Sequence, residues 1–192
     1  MRVKDAKKYE AISNAAITLI CQEGLSGTSM SKIAKAANVS PATIYVYFEN
    51  KEAMIGELYR TCKKQMSVAL LQEFKPNGDF VIEFRKLWNN LLDYALQGTK
   101  EFAFLQQFEN SPHLTQAYQN HAKEYFTPIF IFFEKAKRDK KIKNVPFELI
   151  YAFCFIPAIR LASQHLSHAF NLNDTTKEQA IALALDTICL SS

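Results

Sequence analysis

The chain has 192 residues, 48% hydrophobic and 22% charged, the make-up of an ordinary globular protein with room for two modest cores. Its net charge of +4 is uneven: residues 1–51 hold seven Lys/Arg against four Asp/Glu (+3), the rest 16 against 15 (+1), a bias that suits phosphate but also a solvated charged face. The longest charge-free apolar run, Leu149 to Ile159, is too short for a bilayer, no leader-like start is seen, and four scattered cysteines (Cys21, Cys62, Cys154, Cys189) suggest buried thiols, so a cytoplasmic location with no membrane, metal or cofactor is expected.

Period-2 alternation is rare and 3.6-residue spacing nearly continuous, which predicts an all-helical protein of about nine helices. Helix 1 is predicted from about Asp5 to Glu23, with Tyr9, Ile12, Ala16, Leu19 and Ile20 on one face and Gly24 closing it. Residues 28–51, TSMSKIAKAANVSPATIYVYFENK, then read as a helix-turn-helix. Met30, Ile33, Ala34 and Ala37 recur at helical spacing behind Thr28 or Ser29 as cap, and the pattern stops at Asn38, a residue able to take left-handed backbone angles. A second start follows at once. Ser40 serves as N-cap, Pro41 takes the first helical position, where its missing N–H costs nothing, and Val39 is placed to staple against Ile44. Two short helices so joined, the second ending near Phe48, form a DNA-reading unit.

Asn50 is expected to cap a fourth helix, Lys51 to about Glu73, ended by Pro76-Asn77-Gly78. Beyond it a helix is predicted from Asp79 to Gln97, stopped by Gly98, and another from Thr99 to Glu109. Ser111-Pro112 opens the next, reaching the basic stretch Lys135 to Lys143 in one or two pieces. Pro146 opens a helix to about Phe170, and Asp174 caps a last one to about Cys189. Pro128 and Pro157 fall inside two of these helices, where each forces a kink or break.

On a wheel of about 100° per residue, Ile44 and Phe48 share one side of the second short helix, and Ala42, Thr43, Val46 and Tyr47 the other. The first pair should pack and the second set face out. None of these four is Arg, Lys, Asn or Gln, so the strong bidentate readings of guanine and adenine are absent from that face. Thymine methyls remain for Val46 and Ala42 and a hydroxyl contact for Thr43, with DNA shape supplying more of the preference. Tyr45, Tyr47 and Lys51 are the phosphate candidates, with packing of the helix on helices 1 and 4 as the lesser alternative for the two tyrosines.

The first 60 or so residues resemble the TetR (tetracycline-repressor) family of bacterial transcription regulators. The resemblance lies in Ile12 to Ala16, Gly24, Thr28-Ser29-Met30, Ile33-Ala34, Val39-Ser40 and above all Thr43-Ile44-Tyr45-Val46-Tyr47-Phe48 followed by Asn50-Lys51-Glu52. It implies a three-helix DNA-binding head over residues 1–50 and a helical effector-binding and dimerisation domain over 51–192. It also implies phosphate contacts from Tyr45, Tyr47 and Lys51, groove entry by Pro41, Ala42 and Thr43, and backbone contacts from Thr28 and Ser29. Lys32 and Ser40 complete the candidate DNA-contact set. The implied assembly is a homodimer through the last two helices on a double-stranded DNA operator, with a ligand pocket in each C-terminal half. Two positions depart from the family pattern: Asn38 and Ala42 stand where glycine is common.

Fourteen of the fifteen phenylalanines lie at or after Phe74, with the single tryptophan, Trp88. Rigid rings line cavities for apolar or planar small molecules, so Trp88, Phe108, Phe126, Phe130, Tyr151, Phe155 and His165 are candidate walls of an effector pocket, with core packing as the plainer role for each. The last helix is apolar on more than one side through Ala180, Ile181, Leu183, Ala184, Leu185 and Ile188, which favours cover by a second subunit. His165 and His168 have no acid or cysteine at metal-ligand spacing. Two rival classes are an enzyme built on a helical bundle, against which stands the lack of any phosphate loop or nucleophile elbow, and a DNA-bound scaffold controlled by a protein partner.

Overall fold

In a computed structural model the described residues are 5–108 and 123–190, and they form helices joined by short turns. The predicted start at Ser111-Pro112 lies outside them. The elements are α1 (Ala6–Gly27), α2 (Met30–Ala36), α3 (Pro41–Tyr47), α4 (Lys51–Leu70), α5 (Phe80–Leu96), α6 (Lys100–Phe108), α7 (Thr127–Arg138), α8 (Phe147–Ile150), a π-helical turn (Tyr151–Phe155), α9 (Ile156–Leu166) and α10 (Asp174–Ile188). They cluster into two compact units, one of residues 5–64 with 99–108 and 123, the other of 65–98 and 124–190. The boundary between the compact units falls within α4, and α6 belongs to the first unit.

In the first unit, Asp5 caps α1 by accepting from the Lys7 N–H, and Gly24 interrupts the helical backbone at φ 71 before one further turn. A residue with a Cβ is strained at that angle, which is why glycine ends the regular helix there. Ile12, Ala16 and Ile20 of α1 are buried with Ile33 of α2, Ile44 of α3 and Met54, Ile55 and Leu58 of α4. These apolar side chains hold the head together. Against α1 also lies α6: Gln107 Nε2 donates to the Cys21 carbonyl at 3.4 Å, and Lys100 Nζ to Thr18 Oγ1 at 3.4 Å.

In the second unit α5 is the central element, and its strong apolar face buries Phe80, Phe84, Leu87, Trp88, Leu91 and Leu92. Phe80 stacks on Phe132 at 5.3 Å, and Phe84 meets Phe155 at 5.6 Å, so rings from three helices interlock. The turn before α5 is tied by buried Glu83, which accepts from the Lys75 N–H at 2.8 Å and pairs with Lys86 Nζ at 2.8 Å. Burial works to raise the Glu83 pKa, but these hydrogen bonds and the two lysine charges hold it below its ordinary value. Gly78 is required beside it, since a Cβ there would sit 2.7 Å from Glu83 Cγ.

Several elements differ from expectation for local reasons. Pro128 is in the first turn of α7, where it disturbs nothing. Pro157 stands in the first turn of α9 behind the π turn, whose wider hydrogen-bond spacing absorbs the missing N–H without breaking the rod. The last helix is capped by Asn173 rather than Asp174, in a reciprocal box with Thr176. Phe147–Leu166 is one rod of 20 residues with mean hydropathy 1.3, so by length and composition it could cross a bilayer, contrary to the estimate from the shorter apolar run. Ile150, Cys154, Phe155, Ala158 and Ile159 are buried on it, while Leu149, Phe153 and Ile156 are exposed.

Candidate nucleic-acid interface

The helix-turn-helix is built by its caps. Ser29 Oγ accepts from the Lys32 N–H and Ser40 Oγ from the Thr43 N–H, each at 3.2 Å, so both helices begin where the side-chain signals place them. Between them the backbone closes by Val39 N–H to Ala34 O (2.9 Å) and Asn38 N–H to Lys35 O (3.2 Å), with Asn38 at φ 53. That is a Schellman closure with asparagine in the left-handed position. Ile44 and Phe48 are buried under α3, as the wheel required.

The face turned to solvent is Pro41, Ala42, Tyr45 and Val46, with Tyr45 56% and Val46 52% exposed. A tyrosine and a valine held this far into water by a capped helix are available to a groove. Thr43 is half-buried, and its Oγ1 is occupied by Ser40 Oγ at 2.8 Å. Ser29 and Ser40 are exposed, but both oxygens also serve as caps.

Tyr47 is a correction. It is only 9% exposed: its ring lies 6.2 Å from that of Tyr9, and its hydroxyl accepts from the Asp5 N–H at 3.1 Å and donates to the Asp5 carbonyl at 3.2 Å. The start of α1 covers the side of α3 that the wheel left open. Thr28 is corrected likewise, being buried, with Oγ1 donating to the Gly24 carbonyl at 2.9 Å rather than facing out. Lys32 Nζ is paired with Glu23 at 2.7 Å and with the Gly27 carbonyl at 2.8 Å, which offsets its charge. Lys51 Nζ, half-buried, donates to the carbonyls of Leu25 and Thr28 and clamps the loop between α1 and α2. An ammonium has three N–H groups, so one remains for a phosphate.

Within residues 5–50 the exposed cations with no acid partner among the described residues are Lys7 and Lys8 at the start of α1 and Lys35 at the end of α2. The charge surplus of residues 1–51 contained them, but it is the contacts of Asp5 and Tyr9 with Tyr47 that bring the α1 start beside α3. Tyr9 donates to Glu57 Oε1 at 2.8 Å, and burial, with the neighbouring carboxylate, raises its pKa.

The candidate pocket residues are mostly packing groups. Trp88 is buried and its Nε1–H donates to the Cys154 carbonyl at 3.0 Å, a partner inside the π turn. Phe155 is buried against Phe84 and Phe133, Phe130 meets Phe147 at 4.7 Å, and Tyr151 stacks between Phe147 and Phe155. Phe126 is half-buried and precedes α7. His165 Nδ1 accepts from the Leu172 N–H at 3.2 Å, which ties the turn before α10. Phe108 belongs to the first unit and packs on Phe104 at 4.7 Å. Asn89, which sequence reasoning passed over, has its Oδ1 buried with no hydrogen-bond partner. A buried acceptor left open calls for a donor from water or a ligand.

Residues 12–58 match the model for bacterial regulatory proteins of the tetR family, and residues 80–189 match the tetracyclin repressor-like C-terminal domain. A helix-turn-helix-type transcriptional regulator of Haemophilus influenzae is 25% identical over 181 residues, 94% of this chain and 95% of that protein. The crystal structure of a TetR family transcription regulator from Marinobacter aquaeolei superposes with a TM-score of 0.90 at 30% identity, covering 100% of both chains. The regulator FadR from Bacillus subtilis, in complex with stearoyl-CoA, superposes at 0.67 over 92% of this chain and 97% of that one, and at 18% identity that likeness is one of fold.

Proposed function

We infer, because the chain belongs to the TetR family of transcription regulators, that it is a repressor which holds a palindromic DNA operator as a homodimer and is released by a small apolar or aromatic effector. The observation that carries the reading is the capped α3 with Ala42, Tyr45 and Val46 turned to water. Methyl contacts to thymine and DNA shape set the sequence preference; Ser29, Lys51 and the exposed Lys7, Lys8 and Lys35 fix register on phosphates. Residues 1–50 act as the DNA-binding part and 51–192 as the sensing and dimerising part. α4 contributes residues to both compact units.

The dimer seam is supported by an apolar stripe exposed on the second unit: Leu149, Phe153 and Ile156 on the long rod, Leu183 on α10 and Leu190 beyond it. Twofold pairing sets the two reading helices about one DNA turn, roughly 34 Å, or a longer interval apart. The effector is read as binding in the aromatic-rich second unit, whose rings gather around α5. A release of about 100-fold needs the effector to prefer the non-binding state by about 2.7 kcal/mol.

Selection of binding sites from random duplexes tests the DNA reading. The expected product is an inverted repeat with thymine-rich half-sites, and Val46→Ala should relax one position in each. Half-sites dominated by invariant G·C pairs, unaffected by that change, would refute it.

A further inference from the structure

The apolar stripe offered as the seam carries two charges. On the rod Phe147–Leu166, Arg160 follows Leu149, Phe153 and Ile156 along the exposed face, and it is the rod's single Lys or Arg. On α10 the exposed residues from Gln179 to Leu190 are uncharged except Asp186, which stands one turn on from Leu183. The charges earlier on α10 already have uses: Lys177 Nζ is 3.5 Å from Asp93 of α5, and Glu178 pairs with Arg85. Arg160 and Asp186 are exposed and have no ion pair among the described residues.

Within one copy these two are held apart. Cys154 Sγ donates to the Ala184 carbonyl at 3.4 Å and Lys143 N–H to the Ile188 carbonyl at 2.8 Å, so the rod and α10 run in opposite senses with residue 154 level with 184. At about 1.5 Å per residue, Asp186 lies about 3 Å towards the start of the rod from that level, and Arg160 about 9 Å towards its end. Their levels differ by about 12 Å, well beyond the roughly 4 Å of an ion pair. A twofold partner whose rod runs in the opposite sense reverses those levels. With the axis near Ile156, midway between the two charges, Arg160 of each copy comes level with Asp186 of the other, and Phe153, Ile156 and Leu183 fill the centre.

We propose, resting on the homodimer inferred above, that Arg160 of each subunit pairs with Asp186 of the partner subunit, and that these two pairs fix the sense and register of the seam. Cover by a purely apolar surface would take water from both charges and return nothing. A second copy supplies an acid for the arginine and an arginine for the acid at once, because a twofold interface is complementary to itself. Slipping the register strands each charge against apolar side chains, so the pairs select one arrangement of a stripe whose apolar groups alone would tolerate several.

The test is sedimentation equilibrium of the full chain as R160E, D186K and the swap R160E/D186K. Each single substitution sets two like-charged pairs in every dimer and should raise the dimer Kd by at least about tenfold, an effect that shrinks at about 1 M salt. The swap should return Kd to within about threefold of the parent, which no variant damaged merely in folding would do. Single variants as dimeric as the parent, or a swap no tighter than the weaker single, would overturn the pairing while a dimeric parent left the homodimer standing. A parent that stayed monomeric throughout would remove the homodimer itself and the pairing with it. Rescue of R160E by E148K rather than D186K would give Arg160 the rod's own acid as partner and overturn the assignment too.

Discussion

The proposed seam between two copies is open to a quantitative test through Phe153 and Leu183. They are 62% and 68% exposed, near two-thirds each, and both point away from the core of the second unit. Full burial of a Leu or Phe side chain is worth about 1.5–3 kcal/mol, so covering the remaining two-thirds contributes about 1.5 kcal/mol per side chain. Twofold symmetry counts every contact twice, giving roughly 6 kcal/mol for the four side chains. Alanine keeps part of that surface, so the double variant F153A/L183A should lose about 4 kcal/mol of association, near a 1,000-fold rise in the dimer Kd.

Sedimentation equilibrium over a wide concentration range reads this directly. The control is V68A/I131A, which trims two side chains exposed to a similar degree, 69% and 53%, but off the stripe. Neither pair should alter thermal unfolding of the monomer, since the truncated groups touch little in one copy. Were F153A/L183A as dimeric as the parent, or V68A/I131A equally dissociated, the stripe would not be the seam.

Tyr47→Phe should lower stability by about 1 kcal/mol through the lost hydrogen bonds to Asp5, seen as a lower urea midpoint, with operator affinity of the folded protein little changed; a large affinity loss at unchanged stability would restore its phosphate role. Trp88→Phe removes the hydrogen bond to the buried Cys154 carbonyl and leaves a void where the larger ring stood, and should cost about 2–4 kcal/mol, read by denaturant unfolding, whereas a cost under 1 kcal/mol would mean the neighbours collapse round the smaller ring. Cys62 and Cys154 are pushed up to about 12 by burial from the ordinary 9.0. Between those values the unfolded chain has shed protons that the folded one keeps, so the stability these thiols give is full below pH 9 and is lost as pH rises towards 12. The slope should approach about 2.7 kcal/mol per pH unit for the pair and flatten in C62A/C154A; equal slopes in the two proteins would contradict the burial.

What the sequence made legible was local chemistry. Ser29, Asn38, Ser40 and Pro41 act within a few residues of themselves, so their caps and turn were readable, and α3 could be placed to the residue. Tyr47 was misread because the group that claims its hydroxyl, Asp5, lies 42 residues away. A helical wheel ranks directions but does not know which of them another helix covers. The cap of α2 was open between Thr28 and Ser29 in the sequence, and it falls to the exposed Ser29 because the Thr28 hydroxyl bonds the Gly24 carbonyl. The π turn left a proline as its only mark, and the ring pattern around α5 announced abundance of aromatics without telling a packed ladder from a cavity wall. Asn89 carried no signal at all, since an unpartnered oxygen is a property of its neighbours.

On the proposed homodimer, the poverty of polar readers on α3 would make the seam part of the DNA-reading apparatus. A bidentate pair is worth about 1–3 kcal/mol of discrimination per base, and none is offered by Ala42, Tyr45 and Val46. One head therefore gains mostly sequence-independent phosphate energy, which random DNA supplies equally well. Two heads on a fixed spacing add their small preferences into one binding event and lose them together when the seam parts. The expected signature in F153A/L183A is an operator isotherm that turns steep in protein concentration, because pairing and binding become one equilibrium, while affinity for random duplex is hardly altered. A monomer that still told operator from random sequence would show that the discrimination resides in a single α3, against the weakness of its exposed face.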